Sequence, residues 1–155
     1  MSMKEEIKKE LIVEPHKLIS KEVRKDDVAK VTTEYFTMLR YCKYPPKQFK
    51  IILAIAHPQI VDKNPLRFFI TAEEELIINP TITRHTRHTV DSLEGCLSFP
   101  NNENIIVQRY NKCEVEYYQT DEDNNLIKKE ESLSGQRAKM FQHEIDHLDG
   151  IYIYD

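Results

Sequence analysis

Between residues 26 and 42 the apolar positions Val28, Val31, Tyr35, Met38 and Cys42 recur every three or four residues. That period predicts an amphipathic helix with one stripe against a core. Asp26 or Asp27 stands where a side chain can cap the first turn, and Pro45-Pro46 prevents continuation. Cys42 lies within the apolar stripe and reads as a small buried residue, not a reactive thiol.

The middle of the chain changes to a strand-like pattern. Phe49 to Ala56 is apolar enough to be buried on both faces, and Leu66 to Thr71 and Leu76 to Ile78 follow, with Pro80 closing the latter. Ile105 to Gln108 is a further short strand. Cys113 to Tyr117 alternates, with Cys113 on the inward face as core filler. The run Asp121-Glu122-Asp123-Asn124-Asn125 is a turn from which Leu126 onward returns as the second arm of a hairpin. Gly150 to Asp155 reads as a last short strand.

A second helix is expected from about Gly135 to Asp149, capped by Ser134 and stopped by Gly150 in a left-handed conformation. Ala138, Phe141, Ile145 and Leu148 form its apolar face. Gln136, Lys139, Met140, His143 and His147 form the opposite one. This helix therefore sits between a core and a site.

Composition narrows the possibilities. A length of 155 residues with 40% hydrophobic and 31% charged content fits a single domain, 1–155, with about 1–12 frayed. The net charge of −4 argues against a generic grip on nucleic acid. No run approaches the roughly 18 apolar residues of a membrane span. Three cysteines without regular spacing do not make a disulfide framework and suit a reducing compartment. The N-terminus, MSMKEEIKKE, is charged from the start and resembles neither a signal nor a transit peptide, so the cytoplasm is the expected location. There is no internal repeat, and of only three glycines two fall in the motifs below.

His143-Glu144-Ile145-Asp146-His147 is an HExxH sequence. A four-residue step stacks both imidazoles on one side of a helix, where they can bind one metal ion, and Glu144 can reach water at that ion. A third ligand is needed. Eight residues follow His147, and Asp149 turns away from the histidine face, so the ligand is expected upstream. Cys96, in Leu93-Glu94-Gly95-Cys96-Leu97-Ser98, is the best candidate. A thiolate binds first-row metals strongly, and Gly95 permits a close backbone approach.

Glu94 to Ser98 together with Gln142 to Gly150 resembles the second and third signature motifs of the peptide deformylases. The likeness runs from about residue 20 to the end. It implies an α+β fold: small mixed or antiparallel sheets packed around a C-terminal HExxH helix, with an N-terminal helix. Ile52-Leu53-Ala54-Ile55-Ala56-His57-Pro58-Gln59 matches the first motif, with Gln59 in the glutamine's place, but Ile52 and Ala54 replace glycines and His57 an alanine.

The resemblance implies that Cys96, His143 and His147 hold one divalent metal, Fe(II) with Zn(II) or Ni(II) as possibilities. It further implies that Glu144 is the general base and that the Gln59 amide and the Leu97 backbone N–H meet the oxyanion. The substrate would be an N-formylated peptide or nascent chain, the product formate, and the protein a monomer. Leu53, Ala54 and Gly95 would border the peptide. Gln136, Lys139 and Met140 would wall its side-chain pocket, where a lysine beside a methionine must either snorkel out or serve an acidic or polar first residue. Glu94 is expected to orient a ligand, and Arg109 to pair with Glu94 or Asp146. His57 is expected to be structural rather than part of the site. His16, His85 and His88 are assigned to the surface. Two other readings remain open: a related amidase or peptidase with altered side-chain preference, and a metal-bearing protein without catalysis.

Overall fold

The computed structural model describes residue 12 and residues 17–45 and 51–155. A 3₁₀ turn, Lys25–Asp27, leads into helix α1, Val28–Lys43. Seven strands follow: β1 (Ala54–Ala56), β2 (Phe68–Thr71), β3 (Leu76–His85), β4 (Thr89–Glu94), β5 (Ile105–Tyr110), β6 (Lys112–Thr120) and β7 (Leu126–Ser134). Helix α2, Gly135–Leu148, comes last. The strands form an antiparallel sheet in the order β1-β2-β3-β6-β7 and a separate β4-β5 pair. The expected α+β arrangement is thus found.

The large sheet is covered on both faces, and strand alternation divides the core in two. Phe68, Ile70 and Ile78 turn to α1, joining Val31, Met38, Leu39, Tyr41, Ile52 and Ile55. Phe69, Ile77, Cys113, Val115, Tyr117 and Leu133 turn to α2, meeting Ala138, Phe141, Ile145 and Leu148. Phe69 and Phe141 meet edge to face, with centroids 5.0 Å apart. Cys42 packs against the first cluster, and burial, aided by the Glu144 charge, pushes its thiol up to about 12. It is an inert core thiol, as is Cys113, whose pKa burial also raises.

Several local expectations need correction. Asp27 leads into α1, but its carboxylate accepts from the Arg24 N–H at the 3₁₀ turn and caps nothing in α1. The Ser134 hydroxyl likewise makes no capping bond to α2. Part of Phe49 to Ala56 lies outside the described residues. Within 51–56 only the last three are strand, and Ile51 and Leu53 are exposed at 75% and 65%, so the segment is not buried on both faces. Pro80 does not end its strand. A register shift between Ile78 and Thr81, with Asn79 at φ 51°, absorbs the missing N–H, and β3 continues to His85. The last residues form no strand: Asp155 Oδ2 accepts from the Tyr152 N–H and closes a turn. His85 and His88 are exposed, and His16 lies outside the described residues.

One ionic brace ties the sheet to the start of α2. Arg137 forms a two-pronged pair with Glu75 at 2.8 and 2.9 Å, bonds Glu131 at 2.6 and 3.0 Å, and lies over the Phe141 ring. Hydrogen bonds from Arg137 hold both carboxyls below their ordinary value, against burial that would raise them. A depressed folded-state pKa contributes stability above the unfolded value of about 4.3 and loses it as pH falls through the folded one. Arg137→Met is therefore expected to cost about 1–2 kcal/mol at pH 7. The gap to wild type should narrow as the pH falls below the ordinary carboxylate value of about 4.3. Urea midpoints of both proteins across this range check it; a gap that persists in acid refutes it.

Candidate metal centre and active site

Helix α2 presents the chemistry because its other face is committed to the core. Its end is fixed by a paired-carbonyl stop: Gly150 N–H donates to His147 O and Ile151 N–H to Asp146 O, with Gly150 at φ 77°. A Cβ at 150 would lie 3.2 Å from the Lys17 carbonyl, so a side chain there would be strained by conformation and would press on that backbone. One turn earlier His143 and His147 stand on the same side, ring centroids 4.5 Å apart.

Cys96 arrives from the loop after β4. Its Sγ lies 3.5 Å from His147 Nε2, and one donor atom from each of Cys96, His143 and His147 lies within 4.8 Å of the others. Lone pairs gathered this closely, one sulfur and two imidazole nitrogens, fit a first-row divalent metal. Gly95 leaves room for the Asn104 side chain: a Cβ there would sit 2.3 Å from Asn104 Oδ1, so the amide would have to shift. Asp149 is no rival ligand, since it bonds Arg67 at 2.6 Å on the exposed side of the helix. Asp155 pairs with Lys17.

Behind the donors is a charged frame. Glu94 accepts from His143 Nδ1 at 2.7 Å and from Arg109 at 2.7 and 2.9 Å, and Arg109 also reaches Asp146 at 2.6 Å. Arg109 therefore joins both expected partners. Burial alone would raise the Glu94 pKa, but bonds from Arg109, His143 and Ser92 outweigh it and hold the carboxyl well below its usual range. An ionised Glu94 only accepts, so Nδ1 of His143 carries the proton and Nε2 is free for a metal. Burial pulls His143 toward the neutral form, yet bonds to Cys96 and Glu94 leave its pKa raised. His147 is 1% exposed and stacks on Tyr152 at 4.6 Å.

Glu144 is 4% exposed, with Oε2 3.6 Å from His147 Nδ1 and no hydrogen-bond partner for that oxygen among the described residues. Gln59 is fixed at its oxygen by the Ala56 N–H, 2.9 Å. Its Nε2 donates to Ser98 Oγ at 3.0 Å and lies 3.9 Å from Cys96 Sγ. A cavity of about 850 Å³ gathers Gln59, Cys96, Leu97, His143 and Glu144 with Leu53, Ala54, Gly95, Gln136, Lys139 and Met140. Every candidate site residue except the donor His147 borders this space.

His57 does not. Its Nδ1 accepts from the Leu66 N–H at 2.8 Å, its Nε2 faces the Glu34 carboxylate, and its ring stacks on Phe68. It is a buried structural group away from the cavity, as expected. Ile52 is 5% exposed and joins the core under α1, so its bulk is largely drawn away from the cavity. Sequence reasoning gave no role to Ser98, which anchors Gln59, or to Tyr152, which backs His147. The only signal for the first was its place at the end of the cysteine motif.

Comparison with known proteins agrees with this fold. The family model described as polypeptide deformylase matches residues 17–155. "Peptide deformylase 2" of Nostoc is 38% identical over 116 residues, covering 66% of this chain and 61% of that protein. The Thermus thermophilus peptide deformylase is 35% identical over 98 residues, 63% of this chain and 48% of its own length. The alignments thus span about half to three fifths of these relatives. The crystal structure of the Thermotoga maritima peptide deformylase superposes with a TM-score of 0.76 at 29% identity, covering 94% of each chain. The enzyme of the Vibrio parahaemolyticus bacteriophage VP16T, solved with actinonin, gives 0.70 at 30% identity over 93% of this chain and 99% of that one. With a family model spanning its described fold and its whole donor set, the chain belongs to the polypeptide deformylase family.

Proposed function

We propose that this protein is a metal-dependent hydrolase that removes the formyl group from N-terminal formylmethionine of nascent chains, releasing formate. The carrying observation is that three donors converge within 4.8 Å of one another, and two of them, Cys96 and His143, share one cavity with Glu144 and Gln59. Cys96, His143 and His147 would hold the cation, with Fe(II) the favoured metal and Zn(II) or Ni(II) compatible with the same set. When bound, it supplies a Lewis acid that acidifies water and polarises a carbonyl.

The chain's own residues do the rest. β1 is an edge strand of the large sheet, so a peptide can lie along its free side by main-chain hydrogen bonds. Leu53 and Ala54 border that path, and Gly95 faces it across the cavity. The formyl carbon is then placed for attack by water. Glu144 takes the water's proton and delivers it to the amide nitrogen as the C–N bond breaks. Oxyanion charge is met by Gln59 Nε2 and the Leu97 backbone N–H. Formate and a free amine leave. Action as a cytoplasmic monomer completes this reading; among the described residues no helix is long and apolar enough to cross a membrane.

Anaerobically purified protein is expected to carry stoichiometric metal and to release formate from formyl-Met-Ala-Ser. A strong chelator should abolish release, and Fe(II) should restore it. Stoichiometric metal with formate no faster than buffer overturns the proposal and favours a different amide bond as substrate.

A further inference from the structure

Resting on the metal-site reading, we propose that Tyr152 is a positioning residue for the metal. Its ring holds the His147 imidazole in the orientation that ligates and, through Phe99, keeps it in step with Cys96.

The two histidines are oriented by different means. A metal-binding imidazole ordinarily donates its second ring nitrogen to a carboxylate, a carbonyl or water, and that bond fixes the ring. His143 does so through Nδ1 to Glu94 at 2.7 Å. His147 does not. Its Nδ1 has no hydrogen-bond partner among the described residues, and Glu144 Oε2 stands 3.6 Å away, beyond hydrogen-bond reach. His147 has ring contacts instead. Tyr152 stacks on it with centroids 4.6 Å apart and planes 27° from parallel, and His143 meets it at 74° with centroids 4.5 Å apart. A flat ring packed on an imidazole face leaves it little rotation about its own Cβ–Cγ bond.

Tyr152 is itself held in place. It is buried, and its N–H donates to Asp155 Oδ2 at 2.8 Å. Phe99 meets both Tyr152 and Tyr154 edge to face, with centroids 5.6 and 5.3 Å apart, and the Tyr154 hydroxyl donates to the Glu103 carbonyl at 2.8 Å. The Phe99 N–H donates to the Cys96 carbonyl at 3.0 Å. These three aromatic rings therefore join the turn that carries the sulfur to the helix end that carries the imidazole, where Cys96 Sγ and His147 Nε2 lie 3.5 Å apart. The Tyr152 hydroxyl is buried and has no hydrogen-bond partner among the described residues, so the ring and not the hydroxyl carries the role. A leucine at this position would fill part of the space but present no flat face to His147.

The test measures Zn(II) affinity by chelator competition, and the visible spectrum of the Co(II)-substituted protein, for wild type, Tyr152→Phe, Tyr152→Leu and Phe99→Leu. The Co(II) bands report the arrangement of the donors, which a loss of fold stability alone does not move. Tyr152→Leu is expected to bind Zn(II) about tenfold more weakly and to shift the Co(II) bands. Tyr152→Phe should match wild type in both. Phe99→Leu should weaken binding about threefold. Wild-type affinity and bands in Tyr152→Leu, whatever its melting temperature, overturn the proposal. So does Tyr152→Phe binding as weakly as Tyr152→Leu, which would move the role to the hydroxyl. If Tyr152→Leu fails to fold, Phe99→Leu decides: wild-type binding there breaks the link to Cys96 and overturns the proposal, and weaker binding with shifted bands supports it. Wild type that takes up neither Zn(II) nor Co(II) overturns the metal-site reading itself, whereas uptake by wild type that Tyr152→Leu equals overturns this assignment alone.

Discussion

Glu144→Ala is expected to lower kcat/KM for a formyl tripeptide by about 10²–10⁴-fold, the usual contribution of a positioned general acid–base group. Metal content should stay at the wild-type level, because Glu144 is not among the three convergent donors. Stability should also hold or rise. The Glu144 carboxylate is buried, and its Oε2 has no hydrogen-bond partner among the described residues. Removing a charge held in that state relieves a desolvation cost, which offsets the small cavity left by truncation. A structural glutamate would give the reverse pattern, with melting temperature and activity falling together. Glu144→Gln sharpens the distinction, since it keeps the volume and loses the base. Rate loss with metal and stability intact supports the assigned role. Retained turnover in both variants would remove Glu144 from the mechanism and leave the cavity without a proton carrier.

The readable parts of the molecule are those in which local pattern and tertiary burial coincide. Helix α2 shows this: Ala138, Phe141, Ile145 and Leu148 recur at helical spacing, and all four enter the core facing the sheet. The opposite stripe was legible for the same reason, since histidines four residues apart have one side of the helix left to occupy. Strand β4 was not legible. Thr-Val-Asp-Ser-Leu-Glu has no apolar alternation, and its strand conformation comes from pairing with β5. Leu93 and Ile106, paired across those strands, are both exposed. The chain end misleads in the opposite direction. Ile151-Tyr152-Ile153-Tyr154 alternates like a strand, but Tyr152 stacks on His147 and an aspartate closes a turn instead. Long-range side-chain pairs leave no local trace. Glu34 opposite His57 and Ser98 beneath Gln59 are set by packing between distant elements, and no spacing rule reaches them.

The same logic makes Arg109 the most consequential residue outside the cavity. It is 6% exposed and bridges Glu94 and Asp146, so it ties the β4-β5 pair to α2 at the level of the metal donors. Arg109→Met keeps much of the side chain's length and removes the charge. Glu94 would then be a buried carboxylate held only by His143 and Ser92. Breaking one side of a buried pair costs about 3–5 kcal/mol, mostly the penalty of the charge left behind. For a chain of this size that is a fall of roughly 6–20 °C in melting temperature. His143 would lose its fixed orientation as Glu94 shifts toward water or protonates, and loss of such an outer partner weakens metal binding about 10–100-fold. The double variant with Glu94→Gln separates the two causes. If the stranded charge carries the cost, Arg109→Met with Glu94→Gln is more stable than Arg109→Met alone, while metal affinity stays low because the glutamine amide accepts less strongly from His143 Nδ1. If Arg109 acts by packing alone, the double variant is no more stable than the single one. Calorimetry and metal competition on the four proteins of this cycle decide between these outcomes. A single variant within about 1 kcal/mol of wild type would mean that the frame behind the metal donors is dispensable, against the burial and bonding that surround Arg109.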